Sequence, residues 1–422
     1  MSSDKVKAIF IECLKFILGI IRERGEIRTY YDSTFKVDLR NRTWHLELEQ
    51  KNIYPHLFEF TDELMNSPII KECLALMLEE DFPKRLEIEI TDNNGNPVQN
   101  PDYKPVLISF ILEQMTAKYL EKYGCDFNEE KFEKIYREMI SYVYSQEREL
   151  VIVSPLENFD LKDLDEFSVD EYKIRKLNEE EIKTLLSLGY RLGHIFTPKF
   201  GVIDNIYCIE RIIKTPKRFW PAPSPYIEDF VTALRLFKSG AVGVNFVLSY
   251  PKIWETGWSA QSTLYVYSFI RPPKYIFEQK DLESFISFWN QFKKLKDQFP
   301  SNIKFSLRWF NKSYIEQEVL DRLLDLAIAL EVLFKVGDRL DLYVPHFIGS
   351  SKEEKRKINK DINELRKMRG AIVHSGYYKS EQEFVDSIEN YYRTSMQKFL
   401  ELLPNQSYES IIESLKDSMC CS

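Results

Sequence analysis

Residues 323–334 read Leu-Leu-Asp-Leu-Ala-Ile-Ala-Leu-Glu-Val-Leu-Phe. Neither glycine nor proline interrupts them, and apolar residues recur on nearly every side of a 3.6-residue turn. This predicts a largely buried helix over 313–335. On either side the helical period continues. Leu282–Lys296 predicts a helix, 351–374 another, and 381–402 a further one, opened by Ser380 with Glu383 three residues later as a capping box. Gly376 stands where a helix C-terminal glycine belongs. Four long helices with short links predict a helical bundle over 274–422, with the boundary at Pro272 and Pro273.

Residues 1–273 have a mixed character, so the expected class is α+β: a mixed α/β N-terminal region followed by an all-α bundle. Helices are expected near 4–23, 60–80, 104–123, 129–145 and 178–190. Strands are expected at Arg85–Thr91, Glu149–Ser154, 203–214, 241–250 and 262–270. Pro221, Pro223 and Pro225 predict a loop, and a further split of this region, if any, falls within 146–200.

At 422 residues the chain can hold two or three sizeable cores, and 44% hydrophobic with 14% aromatic residues describes a folded protein. A net charge of -8 argues against broad coating of nucleic acid but leaves room for a local basic strip. Six cysteines form no CxxC pair and no metal-ligand spacing, which fits a reducing cytoplasm. Residues 8–21 are apolar, but Glu12 and Lys15 interrupt them. They predict an amphipathic opening helix and no membrane span. No phosphate-binding loop, GxGxxG, HExxH or GxSxG occurs, so neither cofactor nor metal is expected.

The chemistry-bearing stretch is Arg369-Gly-Ala-Ile-Val-His374. Ile358, Ile362, Leu365 and Ile372 recur at helical spacing, and their stripe passes through Arg369. A guanidinium keeps its proton, so in such a place it needs a partner, an anion or a wet cleft. Glu331, in the buried helix, is the expected orienting partner, for Arg369 or for Arg366. Lys352–Arg369 holds eight basic residues against four acidic ones, a strip suited to attracting phosphate, with Lys360 and Lys367 expected to contact it. Tyr377 and Tyr378 follow His374 and could stack on bases. The bland alternative is a solvated helix face with an ordinary ion pair. Arg40…His45 has the same spacing but lies in a β-like alternation, and Arg339…His346 contains Pro345. Both are read as coincidences.

The alternating segment Phe305–Tyr314, the Ala-Leu-Glu of residues 329–331 and the Arg369…Ile-Val-His-Ser-Gly376 stretch together resemble the Apea-like branch of the HEPN domains, over roughly 280–420. The resemblance implies a HEPN-like bundle and a metal-independent endoribonuclease, typically dimeric, in prokaryotic antiviral defence or a toxin-like system. Arg369 and His374 would be the catalytic pair and RNA the partner. Positions five apart on an ideal helix point about 140° away from each other, so a homodimer through the C-terminal helices would bring arginine and histidine of different subunits together. Active members often carry a polar residue after the arginine, where this chain has Gly370. The alternative is therefore a non-catalytic RNA-binding or dimerisation module, whose N-terminal region senses a trigger ligand or partner protein.

Overall fold

The computed structural model describes residues 2–24, 28–38, 43–53, 61–91, 97–192, 207–217, 222, 225–244, 246–252, 259–262, 273–336, 339–375 and 382–420. Its class is mixed α+β.

The chain opens with α1 (Ser2–Arg24) and an antiparallel hairpin, β1 (Arg28–Asp38) and β2 (Thr43–Ile53). Next come α2 (Thr61–Asn66), α3 (Pro68–Glu79), α4 (Phe82–Arg85) and α5 (Lys104–Ser109). A π-helical turn over Phe110–Thr116 leads into α6 (Ala117–Tyr123), and α7 (Glu129–Tyr144) follows. The single helix expected over 60–80 is broken at Ser67, because Pro68 drives the preceding residue out of helical geometry; Ser67 has ψ 133°. The strand expected over Arg85–Thr91 is absent. Leu86, Ile88 and Ile90 alternate as a strand would, but Glu87 takes φ 56°, which ends any extended run. Phe10, Leu14, Met115, Phe132 and Met139 share the core of this helical unit.

A six-stranded antiparallel sheet follows, built from β3 (Glu147–Pro155), β5 (Phe167–Val169), β6 (Tyr172–Lys176), β7 (Tyr207–Pro216), β8 (Phe246–Pro251) and β9 (Ser259–Ser262), in the order β5-β6-β7-β3-β8-β9. A short β4 (Phe159–Lys162) pairs in parallel with β10 (Tyr275–Glu278). The central run Leu150-Val-Ile-Val153 is unbroken because both faces are covered. Leu150 and Ile152 join the main core, while Val151 and Val153 pack with Ile182, Leu185 and Leu186 of α8 (Glu179–Leu192). Residues 203–206 and 263–270 of the expected strands lie outside the described residues.

The expected loop at Pro225 is instead the start of α9 (Pro225–Phe237). Proline is at home in the first turn of a helix, where its missing N–H has no partner to lose. Gly240 then turns the chain at φ +137°, with Tyr275 so close that an added Cβ would lie 2.7 Å from its Cα.

From residue 282 the structure is helical: α10 (Leu282–Lys296), α11 (Ser301–Ser313), α12 (Val319–Phe334), α13 (Leu340–Ile348), α14 (Lys352–Ser375), α15 (Gln382–Leu402) and α16 (Tyr408–Cys420). Seven helices stand where four were expected. The run over 313–335 begins only at Val319, and α13 continues through Pro345. Gly376 and Ser380 lie outside the described residues. One apolar core draws on both sides of residue 273: Phe230 and Leu234 of α9, Phe277 of β10, Trp289 of α10, Leu330 of α12 and Phe399 of α15 belong to it. The carbonyls at the C-terminal end of α9 are capped from α15. Arg393 Nε donates to the Arg235 carbonyl (2.8 Å), and Gln397 Nε2 donates to those of Leu236 (2.8 Å) and Phe237 (3.1 Å). Among the described residues, no helix is long and apolar enough to cross a membrane.

Candidate functional site

α14 begins with Ser351, whose hydroxyl accepts from the Glu354 N–H, while the Glu354 carboxylate accepts from the Ser350 N–H (2.9 Å). The Ser350 hydroxyl, which also donates to this carboxylate, and then the Ser350 N–H hold the Glu354 carboxyl below its ordinary value. The helix then runs unbroken to Ser375, through Gly370.

Its buried face is Ile358, Ile362, Leu365 and Met368. Arg369 falls on that stripe by its spacing, about 20° round the helix from Ile358, yet 41% of its side chain is exposed. Met368, one residue earlier, flanks the stripe and is buried at 1% exposure.

Arg369 Nη1 donates to Glu331 Oε1 at 2.5 Å. Glu331 stands in the last turn of α12 and is more enclosed, with 14% of its side chain exposed. Arg366 reaches α13: its Nη1 is 3.3 Å from Asp341 Oδ1. Asp341 is held a second time. Pro345 has no N–H to give the Asp341 carbonyl four residues back, and Asn359 Nδ2 of α14 supplies the missing donor at 2.6 Å. His346, read from sequence as lying off any helix because of Pro345, is on α13, with Nδ1 2.8 Å from the Leu342 carbonyl.

Lys360 and Lys367 are both exposed; Lys367 lies 3.8 Å from Glu364. His374 falls in the last turn of α14, but its side chain, with Tyr377 and Tyr378, lies outside the described residues. Thus Arg369 is brought to Glu331, Arg366 and the lysines are spread along the same helix, and positions 369 and 374 are about 140° apart around it.

The sequence reading missed a buried polar cluster among α9, α11, α12 and α15. Arg235, Arg322 and Arg393 are 0%, 2% and 3% exposed, around Glu389 at 7%. Arg393 Nη2 donates to Glu389 Oε1 (2.7 Å), as does the Tyr314 hydroxyl (2.8 Å), and Arg322 Nη2 is 3.6 Å from Glu389 Oε2. Arg235 donates to Asn311 Oδ1 (3.0 Å) and lies over the Tyr314 ring. A signal was available: Glu389 and Arg393 are charged positions on an otherwise apolar helix face, the pattern that drew attention to Arg369. No family model matches this chain, and no match is found among the curated proteins or the solved structures.

Proposed function

We propose that this chain is a HEPN-type endoribonuclease that cleaves RNA by attack of a ribose 2′-hydroxyl on the adjacent phosphorus. The observation that carries the reading is Arg369, half exposed yet fixed by Glu331 at 2.5 Å. It lies in the C-terminal half of a helix on which Lys352, Arg356, Lys357 and Lys360 are exposed without an ion-pair partner among the described residues. A guanidinium so held is oriented in advance toward an incoming phosphate.

In the reaction the 2′-oxygen bonds to phosphorus as the P–O5′ bond breaks. One proton leaves the 2′-hydroxyl and one arrives at the 5′-oxygen, leaving a 2′,3′-cyclic phosphate and a 5′-hydroxyl. His374 moves the proton and Arg369 stabilises charge on the phosphorane oxygens. Because α14 is continuous through Gly370, we assign the working pair to different subunits of a twofold dimer formed by the C-terminal helices. Antiviral defence or a toxin-like role fits such an activity.

The test is labelled RNA incubated in EDTA. Cleavage is expected from the parent chain, with a loss of about 10²–10⁴-fold in His374→Ala and a comparable one in Arg369→Ala. An equal mixture of the two variants should regain activity, because one composite site of the heterodimer is intact. An inert parent chain, or variants as active as the parent, would sink the proposal. The full ion pair between Glu331 and Arg369 favours one second reading, a module that binds RNA or dimerises without cutting.

A further inference from the structure

The outer face of α11 carries Lys304, Phe305, Arg308, Trp309 and Lys312, at intervals that put them on one stripe. The opposite face, with Ile303, Ser306, Leu307 and Phe310, is buried. Phe305 leaves 45% of its surface in water, the largest share of any exposed large apolar side chain among the described residues. Trp309 meets it edge-on, with ring centroids 6.0 Å apart. A lone exposed phenylalanine needs no explanation. This one is flanked by cations whose charge is unspent. Arg308 makes no ion pair or hydrogen bond among the described residues, and Lys304 reaches only the Asp297 carbonyl at 3.1 Å. Lys312 contributes little, being held by Asp325 (2.8 Å) and Glu316 (3.1 Å).

Lys304 and Arg308 also line a cavity of about 420 Å³ between α9, α10 and α11. Phe292, Phe299 and Leu307 give it apolar walls, and Thr232 and Asn311 are polar points within it. Its acids, Glu228, Asp229 and Asp297, come from α9 and the end of α10, and Lys296 pairs with the last two at 2.5 and 3.6 Å. The lining is thus polarised. Negative charge excludes phosphate from the α9–α10 side, while free positive charge marks the α11 side, and the open Phe305 ring lies beyond it on the same helix, outside the cavity lining. An apolar slot of ligand size, a cation edge and a stacking ring match the parts of a nucleotide.

We propose that this face of α11 is a binding track for single-stranded RNA. One base stacks on Phe305, phosphates lie along Lys304 and Arg308, and the cavity takes a base turned out of the strand. The choice of RNA rests on the reading of the previous subsection, but the site is separate from α14 and is tested by binding rather than cleavage.

The experiment uses the full chain carrying Arg369→Ala, so that RNA survives, and a short labelled oligoadenylate in EDTA, followed by fluorescence anisotropy. Salt-sensitive binding is expected. Phe305→Leu, which keeps apolar bulk but loses the ring, and Arg308→Ala should each weaken it about tenfold, whereas Phe305→Trp should retain it. Both positions are exposed, so thermal melting should be unchanged and will identify any variant that misfolds. Three results would overturn the proposal: binding unaffected by Phe305→Leu and Arg308→Ala, no binding by the parent, or self-association that disappears in Phe305→Leu with RNA ignored. The two readings fail separately. RNA bound through α11 by a chain that never cuts removes the nuclease and keeps the track. RNA cut normally by a chain lacking Phe305 and Arg308 does the reverse.

Discussion

Glu389 and Arg393 stand one turn apart on α15, and their side chains meet at 2.7 Å with hardly any contact with water. The same guanidinium reaches back to the Arg235 carbonyl, 158 positions earlier. It thus neutralises a buried carboxylate and closes the end of α9 together. Replacing Arg393 by Ala should destabilise the chain by about 3–5 kcal/mol, because Glu389 keeps its charge in the core with one strong partner gone. Urea denaturation measures this. Adding Glu389→Ala should cost less than the two losses summed. A cost no greater than that of a surface change would mean that the cluster is more open to water than its burial indicates.

Glu331 and Arg369 should behave in the opposite way. The arginine side chain is 41% exposed, so solvent screens the pair. Glu331→Gln should cost less than about 1 kcal/mol in stability. If Glu331 orients the guanidinium, the same variant loses cleavage out of proportion to that cost. Cleavage at the parent rate with stability unchanged would reduce Glu331 to a bystander.

Two glycines should respond with opposite sign to alanine. Gly370 lies within α14, and an added Cβ would meet nothing within 4 Å. Gly370→Ala should therefore stabilise by about 0.5–1 kcal/mol. Gly240 combines φ +137° with a Cβ contact of 2.7 Å to Tyr275 backbone, so Gly240→Ala should destabilise by about 1–3 kcal/mol or more. Melting temperatures of the two variants moving in the same direction would contradict this assignment.

Acid should act on the β4–β10 pair. Glu278 lies opposite Lys162 in that register and receives both Lys280 (2.5 Å) and Lys162 (2.9 Å). These ammonium groups, Lys280 foremost, pull its carboxyl from the ordinary 4.5 down to about 2. A depressed acid favours the folded state above the unfolded value, and the contribution fades as pH falls from 4.5 toward about 2. Stability measured across that window should fall less steeply in Glu278→Gln than in the parent. Parallel curves would show that the lysines leave this carboxylate to solvent.

Long periodic helices were readable in advance: Leu282–Lys296 has those bounds in the structure, α14 differs from expectation by a residue at each end, and α15 by a residue at its start. Short elements with conflicting local signals were not. α9 hid behind prolines that read as a loop, and α13 hid because the donor that replaces Pro345 comes from Asn359, on another helix. Leu86, Ile88 and Ile90 carry a strand's alternation, yet one left-handed residue between them cancels it. At the candidate site, charge along α14 and the stripe through Arg369 were legible, but how much of the arginine stays in water was not, because that depends on what packs over the helix. The Arg235–Asn311 and Arg393–Arg235 links were beyond reach, since no local pattern announces a partner so far along the chain.

The capping of α9 by α15 sets an order on synthesis. The first helical core is complete once Val143 has emerged, so that unit can close early on the ribosome. The sheet and α9 cannot: their apolar face awaits Trp289 and Leu330, and the last carbonyls of α9 await Arg393 and Gln397. A nascent chain stalled in that interval would hold a finished first unit beside an uncovered sheet, the form most in need of a chaperone.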